Sequence, residues 1–408
     1  MAHIAWLGKK SPFCGNVTYG LTTTHALRSR GHGISFIHFD TPATGLGRLT
    51  GLDRAADAEL GSDAEVAEAG NNQEVALPYL VKGQVYTIPS LGAQRELRGS
   101  LERLRPDVVH ASLTLSPLDF LLPDLCQQLG LPLVATFHPP FDASLRNLTA
   151  GTQQLTYQLY APSLARYDRV IVFSEIQAEV LQRLGVPAER LAVIPNGVDT
   201  TLWRPGHPSS DTPELAELRR RFAGQRVFLY MGRVATEKNV EALLKAWRLV
   251  RPAGCLLVIV GDGPARAALQ QSSADDAGVI WWGYEPSLER RVAFQQLAEV
   301  FLLPSLVEGL SLALLEAMAA GSACVATDAG ADGEALDGGA GIVISTQGVT
   351  TQLRTLLPVL REQPVLTAEL GRRARARALE RYTLTGNIDA LERLYRELLS
   401  GRPNLVAA

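Results

Sequence analysis

A regular alternation of two residue patterns constrains this chain more than any other feature. Short apolar runs occur at 4–7, 34–39, 108–110, 133–137, 170–173 and 191–194, and again at 227–231, 256–260, 279–282, 300–303 and 323–327. Helical patterns lie between them, at 20–30, 117–129, 175–184, 240–250 and 312–320. The runs do not alternate polar with apolar residues, as expected of parallel strands covered by helices on both faces. The β-α series runs twice and predicts an α/β protein of two Rossmann-like, doubly wound domains. Pro195, Asn196-Gly197 and Trp203-Arg204-Pro205-Gly206 are turn and linker signals, so the boundary is placed after residue 197. In such sheets ligands bind outside the carboxyl ends of the strands. Chemistry is therefore expected in the loops that follow strands, in a cleft where the two domains face each other.

Composition excludes several classes. The 408 residues carry 39 basic and 42 acidic side chains, a net charge of −3, with no dense basic face for nucleic acid. Aromatic residues make up only 6%, too few for a base-stacking platform. No charge-free window of 18 apolar residues predicts a transmembrane helix. The opening apolar run is too short for a signal peptide and its lysines follow it, so a cytoplasmic protein is expected. Cys14, Cys126, Cys255 and Cys324 lie far apart and are expected as free thiols, without disulfide or zinc. The acidic stretch 53–74 reads as a solvated loop.

The chemistry-bearing motifs follow predicted strands. Gly232-Arg233-Val234-Ala235-Thr236-Glu237-Lys238 leaves the run 227–231 and opens a helix. A glycine turn, free helix N-terminal amides and two cations make a diphosphate cradle. After 300–303, Glu308 precedes the helix 312–320, and Gly309, Leu310 and Ser311 present amides at its N-terminus. Glu316 stands two turns further on, placed to face the same side as Glu308. A charge inside so apolar a helix is costly unless it is used or paired. Gly261-Asp262-Gly263-Pro264 is a further strand-to-helix turn, open to loop punctuation or ligand contact. The loop at Cys14-Gly15-Asn16 lacks the lysine of a P-loop and the spacing of a dinucleotide fingerprint. His110 and His138 both stand at strand ends, where a structural and a functional role are equally open. With no Asp-x-Asp and no His-Glu-x-x-His, the metal assignment is none.

These residues resemble the retaining family-4, or group 1, glycosyltransferases of the GT-B fold, over essentially the whole chain. The resemblance implies that Arg233 and Lys238 hold the donor diphosphate, with Gly232 and Gly261 in the adjoining turns. It implies that Glu308 contacts the donor sugar and Glu316 the ribose. Gly309, Leu310, Ser311 and Gly15 would meet phosphate, and Trp282 and Gly283 would border the base. His138, Glu308, Arg233 and Lys238 form the implied catalytic set. His110 and Asn16 are assigned to the acceptor side. No cofactor is implied, the UDP-sugar being the donor substrate. The domains become 1–197 for acceptor, 198–383 for donor, and a C-terminal helix, 384–408, crossing back to the first domain.

The acceptor expectation is a glycolipid at a membrane surface, with no nucleic-acid partner and no protein partner inferable from the sequence. It rests on 94–105, where Leu97, Leu101 and Leu104 alternate with arginines as on a basic amphipathic helix. It also rests on segments 8–19 and 151–158, which resemble the cyanobacterial-type digalactosyldiacylglycerol synthases. That resemblance implies transfer of galactose from UDP-galactose to monogalactosyldiacylglycerol by a peripheral membrane enzyme. The alternatives are a soluble sugar, sugar phosphate or glycan acceptor, or a catalytically silent nucleotide-sugar-binding protein. A nicotinamide oxidoreductase lacks its glycine fingerprint.

Overall fold

A computed structural model describes residues 1–11, 14–42, 73–83, 86–140, 148–206, 211–274 and 276–400. The chain divides into two compact units. One is built from Met1–Pro139, Leu155–Ile194 and the segment beginning at Ile388. The other contains Pro140–Gln154 and Pro195–Asn387.

The first unit holds eight strands: β1 (His3–Leu7), β2 (Gly33–Pro42), β3 (Glu74–Lys82), β4 (Thr87–Pro89), β5 (Val108–Ser112), β6 (Leu133–Thr136), β7 (Arg169–Val172) and β8 (Leu191–Val193). Their order is β4-β3-β2-β1-β5-β6-β7-β8, parallel throughout except for the β3–β4 pair. Strand β1 pairs with β2 on one side and β5 on the other, with Trp6 opposite His110. The order reverses between β1 and β5, so the ligand edge of this sheet is expected at their carboxyl ends.

The second unit holds β9 (Arg226–Met231), β10 (Cys255–Val260), β11 (Val279–Gly283), β12 (Val300–Leu303), β13 (Ala323–Thr327) and β14 (Ile342–Ile344). They form one fully parallel sheet in the order β11-β10-β9-β12-β13-β14. Its reversal falls between β9 and β12, the two strands that feed the charged motifs. Phe228, Tyr230, Leu257, Ile259, Leu302 and Trp247 pack a buried core on one face.

All eleven apolar runs read from the sequence are strands. Three strands escaped notice: β3, β4 and β14. Strand β3 follows the acidic stretch and contains Pro78, a residue confined to sheet edges and bulges. Strands β4 and β14 have three residues each. Residues 53–72 of the acidic stretch lie outside the described residues; Glu74 belongs to β3 and pairs with Lys10.

The helix Ala93–Leu104 corrects one expectation. Its Ala93, Leu97, Ser100 and Leu101 are buried in the first unit. The apolar stripe is spent on the protein's own core and is not available to a membrane. Among the described residues no helix is long and apolar enough to cross a membrane. All four cysteines are free thiols.

Candidate functional site

Strands β9, β10 and β11 end in glycines bonded to one another. Gly232 N–H donates to Val260 O at 3.0 Å, and Gly261 N–H to Gly283 O at 2.7 Å. Only glycine fits at 261: its φ is +141°, and a Cβ would lie 1.9 Å from Gly232 O. Gly261 therefore acts by letting backbones meet. The loop leaving β9 is then tied to the loop leaving β12. Asn239 Nδ2 donates to Pro304 O at 3.2 Å, and Leu306 N–H to Glu237 O at 2.8 Å.

This brings together the charges that the sequence kept seventy residues apart. Lys238 Nζ lies 2.6 Å from Glu308 Oε1, and Glu308 is only 8% exposed. Arg233 pairs with Glu237. Both cations of the expected phosphate cradle thus carry carboxylate partners. A diphosphate arriving here exchanges one anionic partner for another, and does not enter an empty positive pocket.

Ser311 caps the helix Leu312–Ala320, its Oγ accepting from Leu314 N–H, and Gly321 at φ +83° ends it. Glu316 lies in this helix, partly exposed, among buried Leu314, Leu315, Ala317 and Met318. Burial pushes its carboxyl up to about 8, opposed by Arg291.

Asp332 completes the cluster, and sequence reasoning missed it. It is fully buried; Oδ1 accepts from Ser311 N–H at 2.8 Å and Oδ2 has no hydrogen-bond partner among the described residues. Burial first, then the charge of Glu308, pushes its carboxyl well above the ordinary range. The loop after β13 carries it there. Ala331 N–H donates to Gly309 O at 2.7 Å, and a Cβ on Gly330 would lie 2.2 Å from Glu308 O. In sequence it reads as turn punctuation in Ala331-Asp332-Gly333; its one signal is an acidic residue soon after a parallel strand.

Asp332 corrects the reading of Ser311. That N–H, expected to meet phosphate, is already taken by the Asp332 carboxyl. The Leu310 N–H has no partner among the described residues, while Leu310 O accepts from Asn196 Nδ2 at 3.0 Å. Trp282 is partly exposed. Its ring stands edge-on to Phe294 at 4.8 Å beneath the Arg221 guanidinium, with Nε1 donating to Glu285. Gly283 lies under the Arg266 guanidinium.

In the first unit, His110 is fully buried. Its ring nitrogens meet Tyr395 Oη at 2.5 Å and Thr136 Oγ1 at 2.7 Å, and its ring lies 4.1 Å from that of Trp6. Burial pulls its pKa down to about 3. His110 therefore does not line an acceptor surface. It joins β5 to the helix Leu384–Ser400, which Arg30 also anchors through Asp389 and Glu392. His138 differs: the residue is partly exposed, and its ring stands edge-on to Tyr19 at 4.9 Å. Its Nε2 meets Ser112 Oγ at 2.8 Å, and Ser112 Oγ meets Asn16 Oδ1 at 2.8 Å. Burial lowers its pKa to about 3. Gly15 opens the helix Gly15–Ser29, and a Cβ there would touch nothing within 4 Å.

Comparison with known proteins decides the family. Residues 225–362 match the family described as Glycosyl transferases group 1, and residues 15–202 match Glycosyltransferase Family 4. The chain belongs to the group 1 glycosyltransferases. Among its glycosyltransferase relatives is alpha-maltose-1-phosphate synthase of Mycolicibacterium smegmatis, 28% identical over 66% of this chain and 74% of that protein. Another is alpha-monoglucosyldiacylglycerol synthase of Streptococcus pneumoniae, 27% identical over 54% of this chain and 51% of that protein. Similar solved structures include Anabaena Alr3699/HepE in complex with UDP, at TM-score 0.72 and 16% identity over 97% of this chain and 99% of that one. Sucrose-phosphate synthase from Thermosynechococcus elongatus is similar at TM-score 0.73 and 19% identity over 98% and 99%. At these identities the likeness shows the fold, which is GT-B: two Rossmann-like parallel sheets with helices.

Proposed function

We propose that this glycosyltransferase uses a UDP-hexose as donor and transfers the sugar with retention of anomeric configuration. The Lys238–Glu308 pair carries this reading. It joins the carboxyl ends of β9 and β12, where an open parallel sheet binds ligands. Lys238 and Arg233 neutralise the diphosphate and hold it as it leaves. Glu308 orients donor-sugar hydroxyls, and Glu316 takes the ribose. The leaving diphosphate accepts the proton of the incoming hydroxyl, so no cofactor and no glycosidase-type carboxylate pair is called for. His138 is the proposed histidine contact of the donor sugar. Open space beside Gly15 among the described residues is consistent with close approach of phosphate there. The UDP and UDP-glucose complexes of Alr3699/HepE support the donor class.

For the acceptor we propose a glycolipid, with monogalactosyldiacylglycerol and UDP-galactose as the first pair to test, at the cytoplasmic face of a membrane. The glycolipid-named pneumococcal relative and the sequence resemblance at 8–19 and 151–158 support it. One observation favours a second reading, a soluble sugar or sugar-phosphate acceptor. Leu97 and Leu101 of Ala93–Leu104, which suggested a membrane face, are core residues. A transfer assay with radiolabelled UDP-galactose and UDP-glucose over galactolipid vesicles separates the two. Labelled diglycosyl lipid supports the glycolipid. Donor hydrolysis without lipid product moves the acceptor to soluble sugars, and no turnover of either donor leaves a silent binding protein.

A further inference from the structure

Two side chains and a backbone carbonyl in the first unit fix the proton on His138. Asn16 Nδ2 lies 3.1 Å from Leu113 O, a carbonyl that can only accept. The opposite amide orientation would set two oxygens against each other at that distance. Asn16 Oδ1 therefore faces Ser112, and the Ser112 hydroxyl donates its single hydrogen there, at 2.8 Å. Ser112 Oγ has only lone pairs left for His138 Nε2, also at 2.8 Å, so Nε2 must carry the hydrogen. Ser112 is 1% exposed, so water does not compete for this hydroxyl. The ring is held between Tyr19 and Phe173, 4.9 and 5.2 Å away, and Nδ1 has no partner among the described residues.

We propose that Ser112 and Asn16 are positioning residues that hold His138 in its Nε2–H tautomer, so that Nδ1 offers a lone pair to a hydroxyl of the bound sugar. His138 then accepts a hydrogen bond and does not act as an acid. The elements that achieve this are the end of β5, the first turn of Gly15–Ser29 and the turn after β6, all at the ligand edge of the first sheet. The use of Nδ1 by a sugar rests on the proposed glycosyl transfer; the tautomer does not.

The test is long-range proton–nitrogen NMR on the full chain labelled with 15N-histidine, with the His138 signal assigned by its loss in His138→Gln. At neutral pH the wild type is expected to show a protonated Nε2 and a bare Nδ1. Ser112→Ala and Asn16→Leu are expected to collapse that pattern towards an average of the two tautomers, and Ser112→Thr to restore it. In the transfer assay Ser112→Ala is expected to lower kcat about 10- to 100-fold with the donor KM within about threefold, again rescued by threonine. A bare Nε2 in the wild type overturns the proposal, as does an unaltered pattern in a folded Ser112→Ala protein. A correct tautomer in a protein that turns over no sugar nucleotide would overturn the functional reading and leave the relay standing.

Discussion

Lys238 Nζ and Glu308 Oε1 stand 2.6 Å apart, each delivered by a loop from a different strand flanking the point where the second sheet reverses order. The pair keeps a half-buried cation compensated until a ligand arrives. It makes the two residues separable by experiment. Lys238→Ala is expected to weaken UDP binding and lower turnover roughly 100-fold. Glu308→Gln is expected to lower turnover by a similar factor while UDP binds as tightly as before or tighter, because the lysine has lost its competing partner. Titration calorimetry and initial rates on variants with unchanged circular dichroism check both.

Asp332 holds the Ser311 N–H at 2.8 Å from a buried site beside Glu308, which favours its neutral form. Asparagine reproduces a protonated carboxyl in shape and keeps an acceptor for Ser311. Asp332→Asn is therefore expected to keep turnover within about threefold at neutral pH. Asp332→Ala removes the acceptor and is expected to cost about 1–2 kcal/mol in denaturant unfolding. A large loss of activity in Asp332→Asn would show that the charge itself is needed.

Glu316 gives the pH prediction. Its carboxyl is raised from 4.5 to about 8 in the folded chain, so folding holds a proton that the unfolded chain releases. Stability is full below pH 4.5 and is lost as the pH rises through about 8. Glu316→Gln removes this loss. Relative to the wild type, it is expected to gain on the order of 2–4 kcal/mol between pH 4.5 and 8, at about 1.4 kcal/mol per pKa unit. Parallel unfolding curves at both pH values would contradict the assignment.

Gly261→Ala puts a Cβ into Gly232 O and an alanine at φ +141°. It is expected to cost at least about 2–3 kcal/mol and to lower the melting temperature, with UDP binding lost along with the second unit's fold. A variant as stable as the wild type would remove the strand-end contact from the account.

Eleven of the strands were legible because their apolar runs are continuous, the pattern of a sheet covered on both faces. Three strands were not, since β3 carries Glu74 and Pro78 beside irregular pairing on both sides, and β4 and β14 are too short to show a pattern. Within the site, Lys238 and Glu308 were legible because each sits at a strand-to-helix turn. Asp332 was not, because its role exists only once the β13 loop folds under Glu308. His110 shows the converse: a strand-end histidine that suggested chemistry is consumed by Tyr395, 285 residues away in sequence. The leucines of Ala93–Leu104 fit a membrane face and a core face equally until their neighbours are known.

The most direct test of the central claim is a titration of UDP into the purified chain, run beside the Lys238→Ala protein. Saturable binding by the wild type, weakened at least about tenfold by the substitution, is the result this account expects. A wild type that binds no UDP, or binds it equally well without Lys238, would contradict the donor site.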